Sequence, residues 1–185
     1  TPLWSYEISS VSSLDISADG EYIVVGTTNL GQRIYLFDKD SSTPLWTHTA
    51  DGKSVFDIDI SADGQYIVAG ADDGVYLFNK DSSTPLWFYV TGYHVDTVDI
   101  SADGEYIVSG RGGAINNYVY LFDKDSSTPL WSYLVEGTVE TVAISADGQY
   151  IVAGSADDSI YVFNRDSSTP LWNYDAGDVV FSVAI

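Results

Sequence analysis

The chain has 185 residues, of which 27 are acidic and 7 are Lys or Arg, so its formal charge is −20. This excess of negative charge repels phosphate, which makes nucleic acids and anionic membrane surfaces poor partners. The absence of Cys excludes disulfides, thiolate metal sites and thiol catalysis. No apolar run approaches the length of a membrane-spanning helix. An apolar content of 45% with 14% aromatic residues predicts a folded chain.

An internal repeat runs through the whole sequence. The segment Thr-Pro-Leu-Trp begins at residues 1, 43, 84, 128 and 169, so successive repeats are 42, 41, 44 and 41 residues long. Repeats of this length without amphipathic helical stretches are typical of propeller blades with four strands each. We therefore predict one all-β propeller domain over residues 1–185, with repeats at 1–42, 43–83, 84–127 and 128–168 and a partial repeat at 169–185.

Each repeat contains four predicted strands, which we call A to D from the propeller axis outward. In the third repeat they fall at 98–100, 106–108, 119–122 and 130–133, between Asp-Gly and Asp-Ser-Ser turns. The B segment Tyr-Ile-Val is apolar on both faces, as an inner strand requires. Proline in Thr-Pro-Leu-Trp cannot donate a ladder hydrogen bond, so this segment is predicted to be the outer edge strand D.

This strand order has a consequence for the ends of the chain. The sequence contains a D strand at 1–6, four complete blades, and a last A strand at 179–185. A propeller ring closes when its first and last blades meet, commonly through a blade that combines strands from both termini. Here that closing blade would lack strands B and C. We therefore expect a segment of a larger ring, completed by a continuation of the chain or by a second copy.

Two repeated motifs resemble known propeller families. Residues 36–46, Leu-Phe-Asp-Lys-Asp-Ser-Ser-Thr-Pro-Leu-Trp, resemble the tryptophan-docking repeat of the quinoprotein, or PQQ-like, β-propellers. The preceding Ser-Ala-Asp-Gly-x-Tyr-Ile-Val-x-Gly is similar to the start of strand B in WD40-like repeats. The resemblance implies that a docking tryptophan of each blade packs against the next blade. These tryptophans are Trp46, Trp87, Trp131 and Trp172.

The chemistry of a quinoprotein dehydrogenase is not predicted to carry over. Some members use adjacent cysteines, which this chain lacks, and near-identical repeats argue against an active site because catalytic residues must differ in role. We expect no catalytic residue and no cofactor. Calcium is the one candidate ion, held by Asp15, Asp59 and Asp99, which share an A-strand position that is Ala143 in the fourth repeat. Alternatively, each carboxylate accepts hydrogen bonds from its own or a neighbouring turn.

The repeats differ mainly on one predicted rim. The A-to-B and C-to-D turns are constant and share a rim, whereas the B-to-C and D-to-A loops of the opposite rim vary. Loops can change without disturbing the core, so this variable rim is the candidate recognition face. The alternative is neutral drift at tolerant positions. The most distinctive residues of the variable rim are Arg33, Lys53, Tyr93, His94, Arg111, Asn116 and Asn117.

From these features we expect a noncatalytic propeller scaffold that presents its variable rim to another protein or a glycan. The acidic composition suggests an extracellular or cell-surface setting. Neither nucleic acid binding nor membrane insertion is expected. Two alternatives remain open. The chain could be a fragment of a quinoprotein-like enzyme, or an artificial or consensus repeat protein, which would explain the near-identical blades but not their uneven loops.

Overall fold

The structure is a computed structural model that describes residues 2–28, 32–50, 52–113 and 115–185. Within these ranges it has sixteen β-strands and no helix, and the strands form four antiparallel sheets of four. We call these sheets blades 1 to 4. The strands of each blade follow chain order, from A to D. The prediction of an all-β chain with four-stranded propeller blades is therefore confirmed. The described part of the chain contains no helix that could span a membrane.

The strand bounds repeat closely from blade to blade. Blade 1 comprises β1 (Val11–Ile16), β2 (Tyr22–Thr27), β3 (Arg33–Asp38) and β4 (Trp46–Thr49). Blade 2 comprises β5 (Val55–Ile60), β6 (Tyr66–Ala71), β7 (Gly74–Asn79) and β8 (Trp87–Val90). Blade 3 comprises β9 (Val95–Ile100), β10 (Tyr106–Arg111), β11 (Asn117–Asp123) and β12 (Trp131–Val135). Blade 4 comprises β13 (Val139–Ile144), β14 (Tyr150–Ser155), β15 (Ser159–Asn164) and β16 (Trp172–Asp175).

Consecutive blades pack face to face around their A strands, which contact one another in the order β1, β5, β9 and β13. Strands B and C lie between two neighbouring blades, which explains their continuous apolar sequences. Each interface joins a leading face of one blade to a receiving face of the next. Between blades 1 and 2, Val24, Ile34 and Leu36 of the leading face pack with Ile58 and Phe78 of the receiving face, and all five are buried. Equivalent apolar clusters join blade 2 to blade 3 and blade 3 to blade 4.

A glycine near the end of strand B allows the next A strand to approach closely. A Cβ atom on Gly110 would lie only 2.5 Å from Cγ1 of Val139 at the start of β13, and a Cβ atom on Gly154 would lie 2.6 Å from Cγ1 of Val180. Only glycine therefore fits beneath this valine. The contact at Gly154 also shows that Val180 occupies the place that Val139 has one blade earlier.

The two ends of the chain differ from the prediction of an unpaired strand at each terminus. Residues 2–6 and 179–185 form no strand, because a strand requires a hydrogen-bonded neighbour and a closing blade made of these segments lacks strands B and C. The segments nevertheless lie where strands D and A of a further blade would lie. The indole of Trp4 donates to the Lys39 carbonyl at 2.5 Å, and the Val180 amide donates to the Ser155 carbonyl at 3.2 Å.

The constant rim is a row of identical turns. In blade 1, the Ser17 hydroxyl donates to Asp19 Oδ1 at 2.6 Å and accepts from the Tyr22 amide at 3.0 Å, which closes the A-to-B turn. The hydrogen bond from Ser17 lowers the pKa of the Asp19 carboxyl. The turns are also linked across the blades by backbone hydrogen bonds of 3.1 Å. These run from Ala18 N to Ala62 O, from Ala62 N to Ala102 O, and from Ala102 N to Ala146 O.

Candidate functional site

The tryptophans of strand D bridge consecutive blades. The Trp87 indole donates to the Lys124 carbonyl of blade 3 at 2.7 Å, and its ring lies 5.4 Å from that of Phe122. Trp46 and Trp131 make the same pair of contacts with the blades that follow them. Trp4 does so with blade 1, a role that the sequence prediction did not assign although Trp4 ends the first Thr-Pro-Leu-Trp segment.

Trp172 differs from the expectation that it packs against a following blade. Its side chain belongs to β16 of blade 4 and is 53% exposed. The surrounding sequence is the same as at the other docking positions, so the difference is one of tertiary context. Trp46, Trp87 and Trp131 are covered by the next blade, whereas no further four-stranded blade follows β16 among the described residues. Trp172 thus marks an uncovered leading face.

The A-strand aspartates connect each blade to the next. Each uses Oδ2 to accept a hydrogen bond from a backbone amide of the following A strand, which is an otherwise unpaired edge. The acceptor and donor pairs are Asp15 with Ile60 at 3.2 Å, Asp59 with Ile100 at 3.0 Å, and Asp99 with Ile144 at 2.7 Å. The described residues contain no group of three or more His, Asp or Glu arranged to hold a metal ion. The carboxylates therefore accept from strand amides of the next blade, whereas the alternative placed their donors in a turn. Calcium binding stays a prediction.

The same carboxylates are close enough to influence one another. The Ile100 amide lies 3.0 Å from Asp59 Oδ2 and 2.9 Å from Asp99 Oδ1, so two carboxylates share one donor. The Ile60 amide is shared in the same way between Asp15 and Asp59. Burial raises the pKa of Asp59 well above its ordinary value, and the neighbouring Asp99 and Asp15 raise it further. Asp59 is therefore the central group of a row of carboxylates.

Adding or removing calcium tests the assignment of these carboxylates as acceptors for backbone amides. We expect the melting temperature to be the same in about 5 mM CaCl₂ and in about 5 mM EDTA, concentrations above a weak Kd of about 1 mM. The reason is that the carboxylate oxygens already accept hydrogen bonds from backbone amides. A ligand that binds only the native state must raise the melting temperature. A calcium-dependent rise that Asp59→Asn abolishes would contradict the assignment and support the calcium hypothesis.

The seven distinctive residues of the variable rim are distributed unevenly. Arg33 begins β3 of blade 1 and is exposed, and Lys53 lies in the loop before β5. The other five belong to blade 3 or its adjoining loops. Their side chains come from the D-to-A loop before β9, the end of β10, and the start of β11. They are Tyr93, His94, Arg111, Asn116 and Asn117.

Arg111 is the most unusual of these residues because it is only 4% exposed. Its guanidinium carbon lies 4.1 Å from the centroid of the Tyr93 ring, within cation–π distance, and Nη1 donates to the Asn116 carbonyl at 2.5 Å. None of the ion pairs found among the described residues involves Arg111. Its Nε is buried without a hydrogen-bond partner there, as is Asn117 Oδ1. A buried guanidinium without a carboxylate is costly, which sets this position apart.

Asp96 extends the cluster and was missed by the sequence analysis. His94 Nε2 lies 3.5 Å from Asp96 Oδ2, and the His94 ring packs 5.6 Å from the ring of Phe56 in blade 2. Burial raises the pKa of Asp96, and the Coulombic interaction with His94 partly opposes this rise. A side chain at Gly112 would collide with the Asp96 carboxylate. The sequence marked Asp96 only by variation between the repeats, because the same A-strand position is Ser12, Phe56 and Glu140 in the other blades.

Four consecutive four-stranded blades arranged around their A strands define a β-propeller. The family model for the WD domain, G-beta repeat (WD40) matches residues 42–79 and 128–164. Each match runs from the end of one blade through strands A, B and C of the next. The chain is therefore a WD40-like β-propeller. The resemblance to PQQ-like repeats stays a prediction. A search of curated proteins found no match. WD40 propellers are generally noncatalytic scaffolds for protein interaction.

Proposed function

We propose that this propeller binds another protein through the variable rim of blade 3. The observation that carries the proposal is the buried guanidinium of Arg111, which lies beneath the half-exposed ring of Tyr93 and forms no ion pair among the described residues. Arginine and tyrosine are the residue types that most often anchor protein interfaces. Blades 2 and 4 have Ala71 and Ser155 in place of Arg111, so the repeat is broken at the position where recognition requires a specific side chain.

The charges around the site indicate the chemistry of the partner. A carboxylate from a partner would give the Arg111 guanidinium the ion pair that the chain itself does not provide. The net charge of −20 favours encounter with a partner surface that is positive as a whole. The proposed partner is therefore a protein with a basic surface that places one acidic side chain, or its C-terminal carboxylate, at Arg111.

The test compares rim variants of matched charge. Arg111→Ala introduces the residue that blade 2 carries at this position, and Tyr93→Ala removes a ring that is 41% exposed. For a protein partner recovered by crosslinking capture and then purified, each change is expected to weaken binding at least about 10-fold, which is about 1.4 kcal/mol. Thermal melts of both variants would show that the fold is retained.

Arg33→Ala is the control, because it removes the same charge from the same rim in blade 1. Its effect on the dissociation constant is expected to be less than about 2-fold, as at most interface positions outside a hot spot. Equal losses for Arg33→Ala and Arg111→Ala would indicate general electrostatic attraction. An unchanged dissociation constant for both blade 3 variants would overturn the proposal.

A further inference from the structure

The end blades each expose a face that is covered elsewhere in the chain. Leu14 of blade 1 is 62% exposed, whereas its equivalents Ile58, Val98 and Val142 in blades 2 to 4 are 2%, 5% and 6% exposed. Val11 and Ile16 follow the same pattern. Blade 1 therefore has an uncovered receiving face. At the opposite end, the leading face of blade 4 exposes Tyr150 and Trp172.

We propose that these two faces bind each other between two copies of the chain. The leading face of blade 4 in one copy would pack on the receiving face of blade 1 in the other, and the reciprocal contact would close a ring of eight blades. The occupant is specified by the chain itself, because the same interface forms three times between its own blades. Eight blades lie within the usual range of about four to eight for propellers.

The shape of the receiving face supports this assignment. An open hollow of about 220 Å³ lies between blade 1, which contributes Leu14, Ile23, Val25 and Phe37, and the N-terminal segment, which contributes Trp4, Tyr6 and Ile8. In blade 2, the equivalent residues pack against Val24 and Leu36 of blade 1. Blade 4 carries Val152 and Val162 at those two positions. The side chains that would fill the hollow are therefore apolar and of similar size.

Hydrogen bonding supports the same direction of assembly. Along the constant rim, each turn donates a backbone hydrogen bond to the turn of the next blade. The series begins with Ala18 and ends with Ala146, which leaves the Ala146 amide and the Ala18 carbonyl as the groups that would meet in the ring. Likewise, Trp172 would approach the Lys39 carbonyl of the other copy, the acceptor that Trp4 uses within the chain.

In the proposed ring, the blades of each copy would displace the terminal segments of the other. Trp4 covers the outer part of the blade 1 face, and Val180 covers the inner part of the blade 4 face. The segment 179–185 makes few contacts with blade 4: Phe181 and Ile185 are exposed, and the backbone amides of Val180 and Val183 donate to that blade at 3.2 Å and 3.4 Å. Val11 of the other copy can therefore replace Val180 above Gly154.

Light scattering with size-exclusion chromatography tests the proposal on the 185-residue chain. We expect a mass near twice 20.1 kDa at about 100 μM, the high end of weak association. Because both copies carry −20, association should strengthen as salt screens their repulsion. A mass of 20.1 kDa at every concentration and salt level would overturn the proposal and leave the two faces to other blades of this repeat type.

Two face variants distinguish this head-to-tail contact from other self-association. Leu14→Glu and Trp172→Glu each alter one face at an exposed position, so both should fold and both should be monomeric alone. An equimolar mixture should recover a pair, because one intact face remains in each variant. Leu130→Glu, at an exposed position of blade 3, is the matched control and should still dimerise. A dimer that only one face variant abolishes, or a mixture that stays monomeric, would overturn the proposal.

Discussion

Trp87→Ala is expected to lower the free energy of unfolding by about 3–5 kcal/mol, the usual range for truncating a well-packed large aromatic residue. The substitution removes the indole that packs beside Phe122 and leaves the Lys124 carbonyl without its donor. The lost contacts belong to the interface between blades 2 and 3, at the middle of the chain. Urea denaturation followed by far-UV circular dichroism would measure the change.

Trp172→Ala is the matched control for Trp87→Ala. It makes the same chemical change in the same Thr-Pro-Leu-Trp sequence, but at a side chain that is half-exposed at the end of the chain. We expect a loss below about 1 kcal/mol at dilute protein concentration, where the chain is monomeric. Equal losses for the two variants would show that the interface with the next blade is not what makes Trp87 important.

Asp59→Asn is expected to stabilise the chain at neutral and alkaline pH. The folded-state pKa of Asp59 is raised by burial and by Asp99 and Asp15. The stability associated with its proton is therefore fully present below the ordinary Asp pKa and is lost as the pH rises through the folded-state pKa. Asn carries no charge, and its Oδ1 can still accept the hydrogen bond from the Ile100 amide.

Melting temperatures measured from about pH 4, near the ordinary Asp pKa, to about pH 8 would test this effect. The variant should melt a few degrees above the parent at pH 8, since about 1 kcal/mol corresponds to about 2–4 °C in a domain of this size. The difference should shrink towards acidic pH, where the parent carboxyl is protonated. Asp19→Asn is the control of opposite sign, because its lowered pKa makes the carboxylate stabilising above the ordinary Asp pKa. A pH-independent difference for Asp59→Asn would contradict the assignment.

The sequence predicted those parts of the fold that depend on local pattern. The four strands per blade, their order and the outer position of strand D follow from period, apolar runs and proline, and the structure has them. The terminal segments and Trp172 could not be predicted in the same way. Their sequences match those of docked segments, and only the presence of a neighbouring blade decides whether they are covered.

The candidate site shows a similar division. The repeat comparison identified Arg111 and Tyr93 because they break the pattern. It could not predict that Arg111 is buried beneath Tyr93, since that depends on how the loop before β9 meets the end of β10. Asp96 was missed because its neighbours along the strand give no sign that His94 and Gly112 pack against it. The repeats thus predict which rim varies, whereas the contacts between particular side chains depend on the three-dimensional structure.

The near-identity of the blade interfaces also bears on how the chain assembles. The receiving face of blade 3 is chemically suited to the leading face of blade 1 as well as to that of blade 2. The side chains therefore discriminate poorly between the correct neighbour and a blade one position further along the chain. The connections from strand D to strand A are short, with residues 50–54, 91–94 and 136–138 between strands. Closing such a short loop is fast and entropically cheap compared with reaching over a whole blade. The fidelity of folding is therefore set by loop length, which constrains these loops even where their sequences vary.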